Sequence, residues 1–544
     1  MPQGVLSYKY EEEKQTSGMT ALAGLPVYLD LASVLGLGDH IRTHMHVKAR
    51  GWTDEQMILS LILLNLAGGD CVDDLKILER DEGFSKVLDR VETKGWSRQQ
   101  RRAMERRWRK EQHRSVSSPS AIFRYLEAFH DPREEKKREK GKAFIPTPNQ
   151  HLSGLARVNR DFVAAVQKRH SSPDATLDTD ATLVATEKAD ALFSYERYRA
   201  YQPFNVWWAE QELMLHTEFR DGNVPAGFEQ LRVLKEALDM FPEGVKNVYL
   251  RSDTAGYQHD LLRYCEKTNH SRFGRIEFAI GCDVTKEFKK AVAEVEESAW
   301  KPLMKEVQGD MSKMGKEWAE VCFVPAAICH SKKDPVYRYI ATRELLGQPE
   351  LPGMEGQIAL PFQTLTMEKK RYKIFGIVTN RDTEGSQLVN WLHERCGKSE
   401  AAHAIMKEDL AGGKLPSSDF GENAAWWGIM ILAFNLNAAM KQLALGGSWA
   451  AKRMKALRFS FINLPGRVLH HARELLVRLA KGHPSLEVLL AARQRIMELG
   501  HASGRPYHRD RSSYEGREER SAQNWSEEAL QRCLDEKTDP RVSS

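Results

Sequence analysis

The stretch DATLDTDATL, residues 174–183, places three aspartates in a segment whose alternation is typical of a β-strand. With a period of two residues, Asp178 and Asp180 share one face of that strand, and Leu177 and Leu183 share the other. An acidic strand face has two explanations: a solvated edge strand protected by its charges, or carboxylates that are held for chemistry. The strand by itself does not distinguish between them.

The segments that follow predict an α/β core over residues 170–290. Residues 204–223 read as two strands that end in the turn DGN, and a helix with leucines at core-facing spacing comes next. The strand NVYLRSD then stops at Asp253, and a second helix leads to the strand RIEFAIGC. An aspartate in the first strand and another at the end of the fourth is the arrangement of a ribonuclease H-like nuclease domain. Strand order alone fits several α/β folds, so this interpretation requires a third acid.

A third acid is predicted much later in the chain. Residues 291–385 contain several strand-like segments and are predicted to form a β-rich insertion. Residues 386–450 then read as the second part of the core. Within them, Glu400 and Lys407 are seven residues apart, which places them two turns from each other on one helix face.

The ends of the chain differ from this core in composition. Residues 1–150 read as a helical N-terminal region that ends in a charged linker, residues 451–504 as a helical C-terminal region, and residues 505–544 as a flexible tail. The densely basic segment 94–114 places four arginines near one helix face: Arg98, Arg102, Arg106 and Arg109. They are predicted to bind DNA phosphates; a solvated basic helix is the alternative.

Length and hydrophobic content predict a large protein with several hydrophobic cores, and the N-terminal sequence shows no pattern typical of an export signal. The chain has 544 residues, 41% of them hydrophobic, and a net charge of +5, which is too small to identify a partner. Seven cysteines without a repeated spacing argue against a disulfide framework and favour a reducing compartment. The longest apolar runs are shorter than a membrane span and read as buried helices, so we expect a cytoplasmic protein with no membrane contact.

The whole pattern resembles the DDE transposases of bacterial insertion sequences, and most closely insertion-sequence family thirteen-eighty. The resemblance rests on LDTDAT, YRAYQPF, RDGN, RSDTAGY and the helix that carries Glu400 and Lys407. It implies that Asp180, Asp253 and Glu400 are the catalytic acids and that Lys407 contacts DNA. Related enzymes carry Tyr and Arg seven and four residues before the glutamate, where this chain has His393 and Cys396; the resemblance assigns the arginine role to the adjacent Arg395.

Phosphodiester chemistry gives these acids a physical reason. Two divalent ions can stabilise the attacking and the leaving oxygen, and hard ions such as Mg²⁺ prefer carboxylate oxygens. We therefore expect Mg²⁺, with Mn²⁺ as a substitute, on Asp180, Asp253 and Glu400. Asp178 lies on the same strand face and is predicted to add a ligand or to support the others.

The predicted protein is a transposase that binds the terminal inverted repeats of its own element, cuts there and joins the freed 3′-OH to target DNA. Its expected partners are double-stranded DNA and a second copy of the chain in the active complex. Two alternatives stay open at this point: a ribonuclease H-like nuclease or resolvase without strand joining, and a non-catalytic DNA-binding regulator.

Overall fold

A ten-stranded mixed β-sheet runs through the protein, and helices pack against it. The computed structural model describes residues 18–93, 97, 99–100, 102, 114–267, 270–307, 309–346, 362–471 and 474–502. The described residues up to Met497 belong to one compact unit. The expected mixed α/β architecture with a large mixed sheet is confirmed.

The strands are numbered in chain order. Their bounds are β1 Met19–Thr20, β2 Asp174–Ala181, β3 Val184–Ala185, β4 Ala200–Tyr201, β5 Phe204–Trp208, β6 Leu213–Glu218, β7 Asn247–Ser252, β8 Glu277–Cys282, β9 Lys301–Val307, β10 Asp310–Val321, β11 Arg338–Leu345, β12 Thr364–Met367, β13 Lys370–Thr379, β14 Gly466–His471 and β15 Glu474–Arg478. The large sheet has the order β6-β5-β2-β7-β8-β13-β11-β10-β9, and β12 pairs with β13.

The helices among the described residues fall into three groups along the chain. Before β2 lie α1 Pro26–Val34, α2 Leu37–His44, α3 Asp54–Ala67, α4 Leu75–Arg80, α5 Glu82–Glu92, α6 Pro119–Leu126, α7 Pro132–Glu135 and α8 Gln150–Gln167. Among the strands lie α9 Gln230–Asp239, α10 His259–Glu266 and α11 Lys286–Ala293. After β13 lie α12 Gly385–His393, α13 Lys398–Ala404, α14 Phe420–Ala439, α15 Gly447–Ala450, α16 Met454–Leu457 and α17 Ser485–Ala502.

The strand directions bring two of the predicted acids to one edge of the sheet. β2 pairs parallel with β7, with Thr179 opposite Ser252, and β7 pairs parallel with β8. Because parallel strands end at the same edge, Asp180 and Asp253 are the next residues of their strands at that edge. On the opposite side of β2, strand β5 runs antiparallel, so the first strand of the predicted core is central in the sheet.

Strands β9, β10, β11 and β13 extend the same sheet. β13 pairs antiparallel with β8, and β11, β10 and β9 follow in order, each antiparallel to its neighbour. The segment between α11 and α12 is thus continuous with the strands that carry the acids, and one sheet face runs from β2 to β9.

Two local predictions need correction. Residues 466–478 were expected to be helical, but β14 and β15 form an antiparallel hairpin there, and β14 pairs with β1. Pro465 interrupts the helical pattern at this point, and the partner strand comes from the other end of the chain, which local periodicity cannot reveal. The helix expected to run from Glu400 to Lys407 ends at Ala404, and a π-helical segment, Ile405–Asp409, follows it.

The helix Phe420–Leu445 is long and apolar enough to cross a membrane by length and composition, and 83% of its apolar window is buried inside the protein. It contacts α3, α8 and β6. Its sequence is apolar on all sides because it is surrounded by other elements, which agrees with the expected buried helix.

Asn435 of α14 pairs with the backbone of the edge strand β6. Its side-chain oxygen accepts a hydrogen bond from the Met214 amide at 2.7 Å, and its side-chain nitrogen donates to the Met214 carbonyl at 2.9 Å and to Asn159 at 2.7 Å. An edge strand leaves such backbone groups unpaired, and Asn435 satisfies them in the way a neighbouring strand would. This amide therefore holds α14 and α8 against the sheet.

Replacing Asn435 with Ala is expected to lower the free energy of unfolding by about 2–4 kcal/mol, because the buried Met214 amide and the Asn159 side-chain oxygen lose their partners. Urea unfolding followed by circular dichroism measures the change. Asn247→Ala is the matched control, since Asn247 is exposed and makes one hydrogen bond to Asp174. A loss no larger than that of the control, which is expected within about 0.5 kcal/mol of the parent, would contradict the role given to Asn435.

Candidate active site

Asp180 and Asp253 lie at the ends of neighbouring parallel strands. Asp180 Oδ2 accepts a hydrogen bond from Ser399 Oγ at 2.8 Å and lies 3.4 Å from Arg395 Nη2. Asp253 follows β7 directly, and its Oδ1 accepts a hydrogen bond from the Ala255 amide at 3.0 Å, which fixes the carboxylate at the start of a tight turn. Both side chains lie at the same edge of the sheet.

The helix that carries Glu400 contacts this edge through the preceding residue. Ser399, the second residue of α13, is the hydrogen-bond donor to Asp180. Glu400 itself is exposed, and its Oε2 accepts a hydrogen bond from the Gly397 amide at 2.9 Å. Gly397 adopts a φ of 82°, a conformation that favours glycine and lets the chain turn from Arg395 into α13. The three predicted acids are therefore gathered from three segments distant in sequence.

The charges of the three acids act on one another. The pKa of Asp180 is raised, first by burial and to a lesser degree by the charge of Glu400, while Arg395 and the Ser399 hydrogen bond oppose the rise. The pKa of Asp253 is raised by burial and then by the charge of Asp180. The charge of Asp180 thus helps to raise the pKa of Asp253, and a cation bound between such carboxylates would be favoured.

The donor set of this site suits a hard divalent cation. Among the residues that the structure describes, no group of three or more His, Cys, Asp or Glu side chains is arranged closely enough to hold a metal ion. The chemistry nevertheless fits, because Asp180 and Asp253 offer carboxylate oxygens at one edge and repel each other without a cation. Glu400 adds a third carboxylate whose charge reaches Asp180.

Asp178 makes a buried ion pair with Arg251. Its two oxygens accept hydrogen bonds from Arg251 Nε at 2.6 Å and Nη2 at 2.8 Å, and both side chains are at most 2% exposed. Arg251 Nη1 also donates to the Trp391 carbonyl at 2.6 Å and to Glu394 at 3.0 Å. The pair thus connects β2 and β7 to the end of α12, just before the loop that leads to Glu400.

Two further polar residues line the site. His403, on α13, is buried, and burial together with the charges of Lys407 and Arg395 lowers its pKa to about 4. Its Nε2 lies 3.3 Å from Asn205 Nδ2, and its Nδ1 lies 3.9 Å from Asp180 Oδ2. Lys407 lies in the π-helical segment, and its Nζ donates to the Leu183 carbonyl at 3.2 Å. The helix after Glu400 is thereby attached to the chain that leaves β2.

Comparisons with known proteins now give the family. The family model described as Transposase DDE domain group 1 matches residues 10–501. This chain belongs to the DDE transposases. Among solved structures, one match is titled "Cryo-EM structure of piggyBac transposase synaptic complex with hairpin DNA", with 11% identity, a TM-score of 0.37, and coverage of 97% of this chain and 88% of that one. No curated protein matches.

As a member of this family, the transposase is an enzyme of DNA cleavage and strand transfer, and such enzymes use divalent metal ions.

The predicted DNA-binding residues differ in how the structure describes them. Arg98, Arg106 and Arg109 lie outside the described residues, and Arg102 is exposed. Arg395 lies 3.4 Å from Asp180, and Lys407 contacts the Leu183 carbonyl just after β2. Contacts of all six with DNA remain predictions.

The sequence analysis missed three residues that hold this site of the transposase together. Arg251 pairs with Asp178, Ser399 donates to Asp180, and Asn205 contacts His403. Arg251 carried a usable signal, because an arginine within a buried strand needs a carboxylate partner. Ser399 and Asn205 carried none, since their partners are more than 190 residues away in the sequence.

We expect Asp178→Asn and Asp180→Asn to separate a structural from a chemical role. Asp178→Asn leaves the Arg251 charge buried with a weaker partner and should lower the free energy of unfolding by about 3–5 kcal/mol. Asp180 is 25% exposed and makes no such fully buried ion pair, so Asp180→Asn should stay within about 1 kcal/mol of the parent while losing cleavage. Unfolding curves and a cleavage assay on both variants measure this. Equal stability of the two variants would contradict the assignment.

Proposed function

We propose that this transposase binds the terminal inverted repeats of an insertion sequence, cuts the DNA there and joins the freed 3′-OH to a target. The observation that supports the proposal is the position of Asp180 and Asp253 at one edge of the sheet, where Ser399, the residue before Glu400, donates a hydrogen bond to Asp180 at 2.8 Å. In this proposal, the three carboxylates from separate segments would supply the ligands that two-ion phosphoryl transfer requires.

We further propose that the core is ribonuclease H-like and that the element belongs to insertion-sequence family thirteen-eighty. Support for the core comes from the strand order β6-β5-β2-β7-β8. In this part of the sheet β5 pairs antiparallel with both β2 and β6, and β7 and β8 follow on the other side of β2 in parallel pairings. Support for the insertion-sequence family comes from the sequence motifs around the three acids.

Mg²⁺, which Mn²⁺ can replace, is the proposed cofactor, held by Asp180, Asp253 and Glu400. When bound, a pair of divalent ions stabilises the attacking and leaving oxygens of the phosphodiester. The protein's own part is to hold Asp180 in place. Ser399 and Arg395 hold its Oδ2 in this arrangement, and Ser399 comes from the helix that carries Glu400. In this proposal Asp178 positions β2 through Arg251, and a metal-ligand role for it is the alternative.

The proposed partners are double-stranded DNA, as terminal repeats and as target, and a second copy of the chain in the active complex; the proposed location is the bacterial cytoplasm. A nuclease or resolvase that shares the same acids would cut without joining, so strand transfer from a pre-cut end separates that function from transposition. A regulator that only binds DNA would not cut.

The test is a paired measurement on Asp180→Asn, Asp253→Asn and Glu400→Gln. Duplexes that carry the inverted repeats flanking the coding sequence are the substrate for cleavage and joining in Mg²⁺. Because the three acids act through shared ions, each single variant should lose nearly all activity, and double variants should be scarcely worse. Adding EDTA to the parent should have the same effect. In EDTA, the affinity of each variant for the repeat duplex should equal or slightly exceed the affinity of the parent, because each substitution removes a negative charge that repels phosphate.

Glu394→Gln and Glu408→Gln are the matched controls, because they neutralise the acids nearest to Glu400 on either side. Glu394 contacts Arg251, and Glu408 lies 3.5 Å from Arg453. Both controls should retain most of the cleavage. A Glu400→Gln protein that cut at the rate of the parent, with activity lost in either control, would move the third acid to that position.

A further inference from the structure

The face of the sheet that holds the catalytic acids continues onto the insertion strands. Asp178 is in register with Arg251, and Arg251 with Ala279 of β8. Two residues beyond Ala279, Gly281 is paired with Ile377 of β13. Residues paired in register point to the same side of a sheet, so the face of Asp180 and Asp253 is also the face of Ile377 and, by alternation, of Phe375 and Lys373.

Register extends this face across two more strands. Thr342 of β11 pairs with Phe375, Glu344 pairs with Lys373, and Lys316 of β10 pairs with Glu344. These residues also lie at the same end of the sheet as Asp253, because β13 runs antiparallel to β8 and its first residues extend beyond the end of β8. The acids and the lysines of the insertion therefore share both a face and an edge.

Helix α12 covers this face only in part. Its residues Leu388, Val389 and Leu392 pack on an apolar cluster that includes Trp318 and Ile377. Beyond the last helical residue, a cavity opens that is lined by Lys316, Thr342, Glu344, Lys373, Phe375 and His393. The face thus changes from apolar under the helix to basic where the helix ends.

The cavity is connected to Asp253 through a close contact. A Cβ atom on Gly281 would lie 3.3 Å from the Phe375 ring and 3.2 Å from the amide of Thr254, the residue after Asp253. Phe375 and Thr254 are thus adjacent across this glycine, and the surface from the acids to the lysines has no intervening side chain at Gly281. A larger residue there would separate the two parts.

The charge of the cavity is positive and only partly compensated. Lys305 is two residues from Leu303 on β9, and Leu303 belongs to the apolar cluster on this face, so Lys305 lies on the same face. Its positive charge adds to those of Lys316 and Lys373. The charges of Lys316 and Lys305 add to burial in lowering the pKa of His393. Glu344 is the acid that lines the cavity, 3.4 Å from Lys316 in a half-exposed pair that is worth little. An anion is the ligand that suits this surface.

We propose that Lys305, Lys316 and Lys373, hereafter the lysine row, bind the backbone phosphates of the duplex on one side of the phosphodiester that the acids cleave. Four strand-to-strand steps from β7 to β10, at about 4.8 Å each, and an offset of four residues along the strands, at about 3.3 Å each, place Lys316 about 23 Å from Asp253. At about 3.4 Å per base pair, that distance corresponds to about seven base pairs. The inference rests on the proposed function, because it takes DNA cleavage at Asp253 as its origin.

The experiment compares two pairs of lysines on the same strands. Lys316→Gln with Lys373→Gln neutralises two members of the row, whereas Lys313→Gln with Lys370→Gln neutralises two exposed lysines on the opposite face. Full-length proteins are titrated in EDTA with a duplex that carries the flanking inverted repeat, over a range of salt concentrations. The first pair should bind several-fold more weakly, with a salt slope flatter by about 0.9 for each lost contact, and the second pair should match the parent.

A second measurement locates the contact along the DNA. Single neutral methylphosphonate linkages are placed at successive positions from the cleavage site, and binding of the parent should weaken when the linkage is about seven base pairs away. In the Lys316→Gln, Lys373→Gln protein the same linkage should have no further effect, because its protein partner is already absent.

Equal salt slopes for the two lysine pairs, or an undiminished methylphosphonate effect in the Lys316→Gln, Lys373→Gln protein, would overturn the inference. Failure of the proposed function has a different signature. It would show as a parent protein that does not cut the repeat duplex in Mg²⁺, whereas the binding comparison requires no cleavage and is read separately.

Discussion

The buried ion pair between Arg251 and Asp178 is the interaction on which the geometry of the site depends. It spans the two central parallel strands, and the same guanidinium contacts the Trp391 carbonyl and Glu394 at the end of α12. Both charges are removed from water, so each needs the other. The ends of β2 and β7 and the start of the loop toward Glu400 are consequently held together by one side chain.

From this anchor, the rest of the site follows by short connections. Two residues after Asp178, Asp180 reaches the edge of the sheet, and two residues after Arg251, Asp253 does the same. Four residues after Trp391, Arg395 lies against Asp180, and Ser399 and Glu400 follow at the start of α13. Asp180 and Asp253 are thus each two residues from a member of the buried pair, and Glu400 is six residues after Glu394, which contacts Arg251.

The sequence analysis anticipated the mixed α/β sheet and both aspartate strands because these depend on local signals: apolar runs that stop at an acid, and turn residues between them. It was wrong about residues 466–478, where a strand partner from the N-terminal part of the chain decides the structure. It also extended the Glu400 helix too far, since the change to π-helical geometry at Ile405 is accompanied by a long-range contact, from Lys407 to the Leu183 carbonyl.

By itself, the sequence determined which residues are chemically suited to the site: two aspartates at strand ends and a glutamate near the start of a helix, in a family pattern that residues 10–501 match. Only the tertiary structure decided which partners the neighbouring aspartates have, because Asp178 and Asp180 have the same alternation and contact Arg251 and Ser399, which lie 73 and 219 residues away. It also decided that the insertion strands share a face with the acids. Register between strands distant in sequence is set by packing and hydrogen bonding across the sheet, and no local pattern encodes it.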